Sequence, residues 1–160
     1  MKALSQSVYL LAIVWALSAA QDADWSTRGN HAALHSKDSY VLVFGKDSIA
    51  RGPDYSIRAS ALEYQKKKHI RDLVWFSTGA GCSVSIDAKV VASLKETEKP
   101  QKELSDKQIR VGGSDLQLAH QLSLEQDRLT WQRDEIVWSL FDRLQKEGRL
   151  TAIKENCPSR

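Results

Sequence analysis

Residues 82–95 read C-S-V-S-I-D-A-K-V-V-A-S-L-K, and the spacing of apolar side chains in this stretch decides how the chain is expected to fold. Cys82, Val84, Ile86, Ala88, Val90, Ala92 and Leu94 alternate with Ser83, Ser85, Asp87, Lys89, Val91, Ser93 and Lys95. A period of two predicts a strand, or two collinear strands joined by a bulge, with one face on a core and one in water. Val91 breaks the polar face. It implies either a second covering layer or an exposed apolar patch where a partner binds.

Upstream of this stretch, Tyr40 to Phe44 (YVLVF) is a β-branched and aromatic run that reads as a buried strand. Gly45, Lys46 and Asp47 supply turn chemistry, and Arg51-Gly52-Pro53-Asp54 punctuates a second time. From Tyr55 the alternation of Tyr55, Ile57, Ala59 and Ala61 with polar residues predicts a second strand ending near Lys66. The good helix formers of 59–68 make a helix the alternative there. Ile70 to Ser77 is a third strand run, and Thr78-Gly79-Ala80-Gly81 reads as the hairpin that joins it to residue 82.

Downstream, Glu96 to Asp106 is charged and carries Pro100, which predicts a surface connection, and residues 111–114 (VGGS) form another break. Asp115 to Leu122 reads as a separate turn leading in. Ser123 followed by Gln126 has capping-box spacing and predicts the start of a helix. In that helix Leu129, Arg133, Ile136, Val137, Leu140, Phe141 and Leu144 recur at three- and four-residue steps, with Trp131 and Trp138 seven apart. Gly148 suits the position after the last turn, and Arg149 to Ile153 reads as a short returning strand. The expected fold class is α+β: an antiparallel sheet of about four strands packed against a C-terminal amphipathic helix.

The first residues carry a different signal. Lys2 precedes the apolar run Val8–Ala20, and Ser18 and Ala20 place small side chains where a signal peptidase needs them. Residues 1–20 are therefore expected to be a signal peptide, and residues 21–160 a single exported α+β domain in the secreted or periplasmic space. Retained instead, the 17 residues Leu4–Ala20 would tether the domain to the envelope. Cys82 and Cys157, the two cysteines of the chain, are then expected to form a disulfide in an oxidising compartment.

A net charge of +3 over 160 residues, with 42% hydrophobic and 27% charged side chains, is ordinary globular usage and gives no basic stripe for nucleic acid. No G-x-S-x-G elbow or H-E-x-x-H pair is present, and Gly79-Ala80-Gly81 is too short to cradle a phosphate. His31 and His35 have metal-ligand spacing without an accompanying Cys, Asp or Glu cluster, and read as surface histidines. No catalytic residue, metal or cofactor is assigned.

The concentrated basic patch is Lys66, Lys67, Lys68, His69 and Arg71, with Trp75 just beyond it. An exposed aromatic beside cations is the pattern of a binding surface, so Lys66, Lys67, Lys68, Arg71 and Trp75 are the candidate binding residues. The expected partner is another protein, or an anionic envelope or glycan surface. The expected function is a small binding, inhibitor or immunity-type protein that acts by surface recognition rather than catalysis. A small hydrolase is the alternative, and a cleft gathering His69, His120 and carboxylates would mark it. An envelope-tethered accessory factor follows if the signal stays uncleaved.

Overall fold

The computed structural model describes residues 31–111, 115–155 and 157. The expected signal peptide, the leader with Trp25 and the break at 112–114 lie outside the described residues. Elements follow in the order α1 (His31–Leu34), β1 (Ser39–Phe44), β2 (Asp47–Arg51), α2 (Ile57–Lys68), β3 (Asp72–Thr78), β4 (Gly81–Ser85), α3 (Ala88–Val111), α4 (Leu116–Lys146) and β5 (Thr151–Ile153). The five strands form one antiparallel sheet in the order β2-β1-β3-β4-β5. The fold is α+β, with one strand more than expected.

β1 and β3 lie inside the sheet, and their side chains alternate between two apolar layers. Tyr40, Leu42, Val74 and Phe76 meet Val90, Val91 and Leu94 of α3 and Val137, Trp138, Leu140, Phe141 and Leu144 of α4. Val41, Val43, Leu73, Trp75 and Val84 meet Ile57 and Ala61 of α2 on the opposite face. The sheet is thus covered on both sides, where one covered face was expected. The unbroken apolar runs of β1 and β3 follow from that double burial.

The alternating stretch does not stay a strand. β4 ends at Ser85, and Asp87 then caps a helix, its Oδ1 accepting the N–H groups of Lys89 at 2.8 Å and Val90 at 3.3 Å. Val90, Val91 and Leu94 sit one and four residues apart, on one helical face, so Val91 is buried while Ile86 is 56% exposed. Glu96–Asp106 is helix rather than connection, exposed apart from a seam that includes Gln101 and Leu104, with Pro100 inside α3. Its Glu and Lys residues are strong helix formers, and tertiary pairing with α4 offsets the hydrogen bond that proline cannot make.

Two further expectations change. The region after Tyr55 is helix α2, because Ile57 and Ala61 at a four-residue step bury against the sheet; the second strand is instead the edge strand Asp47–Arg51. α4 begins at Leu116 rather than Ser123, with the Asp115 carboxylate accepting from the Leu118 N–H at 3.0 Å. Its other end stops as expected. Gly148 has φ 66°, and the N–H groups of Gly148 and Arg149 bond back to the carbonyls of Gln145 and Leu144, a Schellman closure.

The chain then returns along β4 as β5, and Cys157 joins Cys82 in a disulfide (S–S 2.08 Å). The expected pairing is therefore present. Among the described residues no helix is long and apolar enough to cross a membrane.

Candidate functional site: a helical arm and a polar clasp

α3 and α4 outrun the sheet they cover. At 1.5 Å per residue, the 31 residues of α4 span about 46 Å. The seven residues of β3 span about 23 Å. The core takes Val90–Leu94 from α3 and Val137–Leu144 from α4. Beyond Glu98 and Arg133 the two helices pack on each other as an antiparallel arm.

The seam of the arm is part polar. Arg133, 5% exposed, donates from Nη1 to Glu98 Oε1 at 3.1 Å and to Gln101 Oε1 at 3.0 Å. Gln101 in turn donates to the Leu129 carbonyl at 3.3 Å and accepts from Gln126 at 3.4 Å. Burial works against the charge of Arg133, but Tyr40 and Glu98 outweigh it and hold the guanidinium protonated. Such a layer fixes which turn of α3 meets which turn of α4, since a slip would strand a buried charge.

Outside the seam the arm is not polar throughout. The large apolar side chains exposed among the described residues number nine, and five of them are on the arm: Ile109, Leu116, Leu118, Leu124 and Trp131. Leu116, His120, Leu124 and Trp131 recur at steps of four, four and seven, so they form one stripe along α4. Seven residues further along, the same stripe reaches Trp138, which His35 covers just after α1.

At Trp138 the clasp begins. His35 stacks on the indole with centroids 4.3 Å apart. Its Nδ1 meets Asp38 Oδ2 at 2.8 Å and its Nε2 meets Asp142 Oδ1 at 3.0 Å. Both ring nitrogens are thus engaged by carboxylates, and neither is turned toward open space. Asp142 also takes Nδ1 of His31 at 2.6 Å, and Glu135 accepts the backbone N–H groups of His31 and Ala32. These bonds pin α1 to α4.

Next to the clasp, Tyr40 donates to Asp134 Oδ1 at 2.5 Å and Arg51 donates to Asp134 Oδ2 at 3.1 Å. Burial lifts the Tyr40 phenol far above its ordinary range; Arg133 pulls it back and Asp134 adds to the rise. Gly52 allows the approach that places Arg51 here. Its φ is 104°, and a Cβ would stand 2.3 Å from the Asp38 carbonyl oxygen. His35, Asp38, Tyr40, Arg51, Asp134 and Trp138 line a cavity of about 150 Å³. That is the room of a few water molecules. Its charged groups are largely spent on one another, which makes it a structural joint. Among the described residues no His, Cys, Asp and Glu group is arranged to hold a metal.

The basic patch is placed differently from the expectation. Lys66, Lys67 and Lys68 form the exposed last turn of α2, and Lys67 is held at 2.6 Å by Glu155. That hydrogen bond and the Glu155 charge raise the Lys67 pKa. Arg71 contributes its carbonyl to Gly45 and Gln65. Trp75 is fully buried under α2, edge-on to Tyr64 at 5.5 Å, because the second layer occupies the face it was expected to present. The cations therefore have no exposed aromatic from Trp75 beside them. His69 ends α2, which covers one face of the sheet, and His120 is on the arm of α4, which covers the other, so the two form no cleft together.

The clasp and the arm escaped the sequence reading. His31 and His35 carried the correct spacing, but Asp142 lies more than a hundred residues away along the chain. No family model matches this chain, and comparisons with curated proteins and with solved structures find no match either.

Proposed function

We propose that the chain is an exported, disulfide-tied binding domain that recognises a protein surface through the α3–α4 arm. The observation that carries this reading is the pair of exposed leucines on the arm, Leu116 at 80% and Leu124 at 56%, where the core makes no use of them. Exposed leucines set among charged residues on a rigid helix pair form the kind of surface that buries against a partner's apolar face. The disulfide supports the export part of the reading, because such bonds persist in oxidising compartments. Lys66–Lys68 would then serve solubility rather than recognition.

Site-specific photo-crosslinking tests it. A crosslinking side chain at Leu116 or Leu124 should trap protein in the producing cells, and one at Lys46 should not. Equal yields at all three sites, or none at the arm, would reject the reading.

A second reading, a small exported hydrolase, has the His31–Asp142 pair in its favour. A carboxylate 2.6 Å from Nδ1 orients an imidazole as a base would need. Ester or amide turnover lost in both His31→Asn and Asp142→Asn would establish it, and absence of turnover would remove it.

A further inference from the structure

We infer that the partner the arm takes is a second copy of this chain, the two arms packing as an antiparallel four-helix bundle. This rests on the arm being an interaction surface, and it goes further by naming what covers that surface.

The first argument is charge. From Lys99 to Val111, α3 carries Lys99, Lys102, Lys107 and Arg110 against Glu103 and Asp106, a surplus of two positive charges. From Asp115 to Trp131, α4 carries Asp115, Glu125 and Asp127 against Arg128, a surplus of two negative charges. A surface with this division is complementary to itself under a two-fold rotation that sets α3 of one copy against α4 of the other. It is not complementary to a uniformly acidic or basic partner.

The second argument is the stripe. Leu116 and Leu124 share one flank of α4, and Ile109, 76% exposed, is on the last turn of α3. The seam residues Gln101, Leu104, Gln126 and Arg133 are already engaged within the arm. A second layer of contacts is thus left over for a second helix pair, as in a four-helix bundle, where each helix meets two neighbours. Where α4 lies over the sheet, the continuation of this stripe at Trp138 is covered by His35, just after α1. Over Leu116 and Leu124, among the described residues, no element takes that role.

Sedimentation equilibrium of the purified, disulfide-bonded chain tests the inference. The expected result is a mass of two chains that falls toward one on dilution. Leu116→Ser with Leu124→Ser should weaken association by roughly tenfold or more. A charge exchange makes the test specific. Lys102→Glu with Lys107→Glu gives a copy with both arm helices acidic, and Asp115→Lys with Asp127→Lys gives one with both basic. Each should be monomeric alone, and their mixture should regain the two-chain mass. Near-ultraviolet circular dichroism shows whether each copy is folded. If either is not, the two serine substitutions decide. A monomer at all concentrations overturns the inference. A monomer whose arm still crosslinks to a different protein overturns it while leaving the arm's binding role intact. A dimer indifferent to every arm substitution overturns both.

Discussion

The imidazole of His35 lies nearly parallel to the indole of Trp138, 11° between planes, and its two nitrogens are divided between Asp38 and Asp142. One side chain thereby ties the loop before β1 to the last turns of α4. His35→Ala should cost about 1–3 kcal/mol, since it uncovers the indole and removes the imidazole that joins Asp38 to Asp142. Urea unfolding followed by tryptophan fluorescence measures the cost. The folded variant should also emit further to the red. His120→Ala, on the exposed arm, should stay within about 0.5 kcal/mol of the parent.

Helix α3 can be tested against a strand over the same residues. Asp87→Ala should lose about 1 kcal/mol as a removed helix cap. Leu94→Ala should lose about 2–5 kcal/mol through its cavity. Ile86→Ala, at an exposed position, should be nearly neutral. Chemical denaturation of the three variants checks this. A large loss at Ile86 would restore the strand reading.

Asp72 ties the sheet to α3. Burial raises its pKa, but the Lys95 ammonium at 2.8 Å and the Gly45 N–H at 2.8 Å outweigh burial and the net shift is downward. A lowered carboxylate stabilises the fold above the unfolded pKa of about 3.9, and this contribution fades as pH falls through the lower folded value. Asp72→Asn should therefore melt below the parent at neutral pH, and the gap should close in acid. Thermal melts from pH 7 down to about pH 3 would show it.

The Cys82–Cys157 bond closes a separation of 75 residues. Cys157→Ser should lower stability by about 2–5 kcal/mol, chiefly by freeing the unfolded chain. Adding reductant to the parent should reproduce the loss, and reductant should leave the variant unchanged.

Much of the sheet was legible because its signals are local. The apolar runs at 40–44 and 70–77, the Gly79-Ala80 turn and the paired cysteines each state their role within a few residues. The C-terminal helix and its Gly148 stop were legible for the same reason. Residues 88–94 were misread because a period of two and a helical period share positions 90 and 94, and the deciding signal was a single cap, Asp87. That β1 and β3 are covered on both sides depends on α2, whose Ile57 and Ala61 fit either period. The clasp was out of reach of any local pattern. Asp134, Glu135 and Asp142 look like the solvent face of an amphipathic helix until α1 and β1 are folded against them.

The polar layer at Gln101, Gln126 and Arg133 stands between the core and the outer arm like a collar. On the far side of it, α3 and α4 answer to each other and not to the sheet. Adding or removing one matched seven-residue block from both helices out there would change the reach by about 10 Å while leaving the collar and the sheet as they are. Reach is then a dimension that evolution or an engineer can adjust separately from stability, as one lengthens a spacer without touching the bracket that holds it.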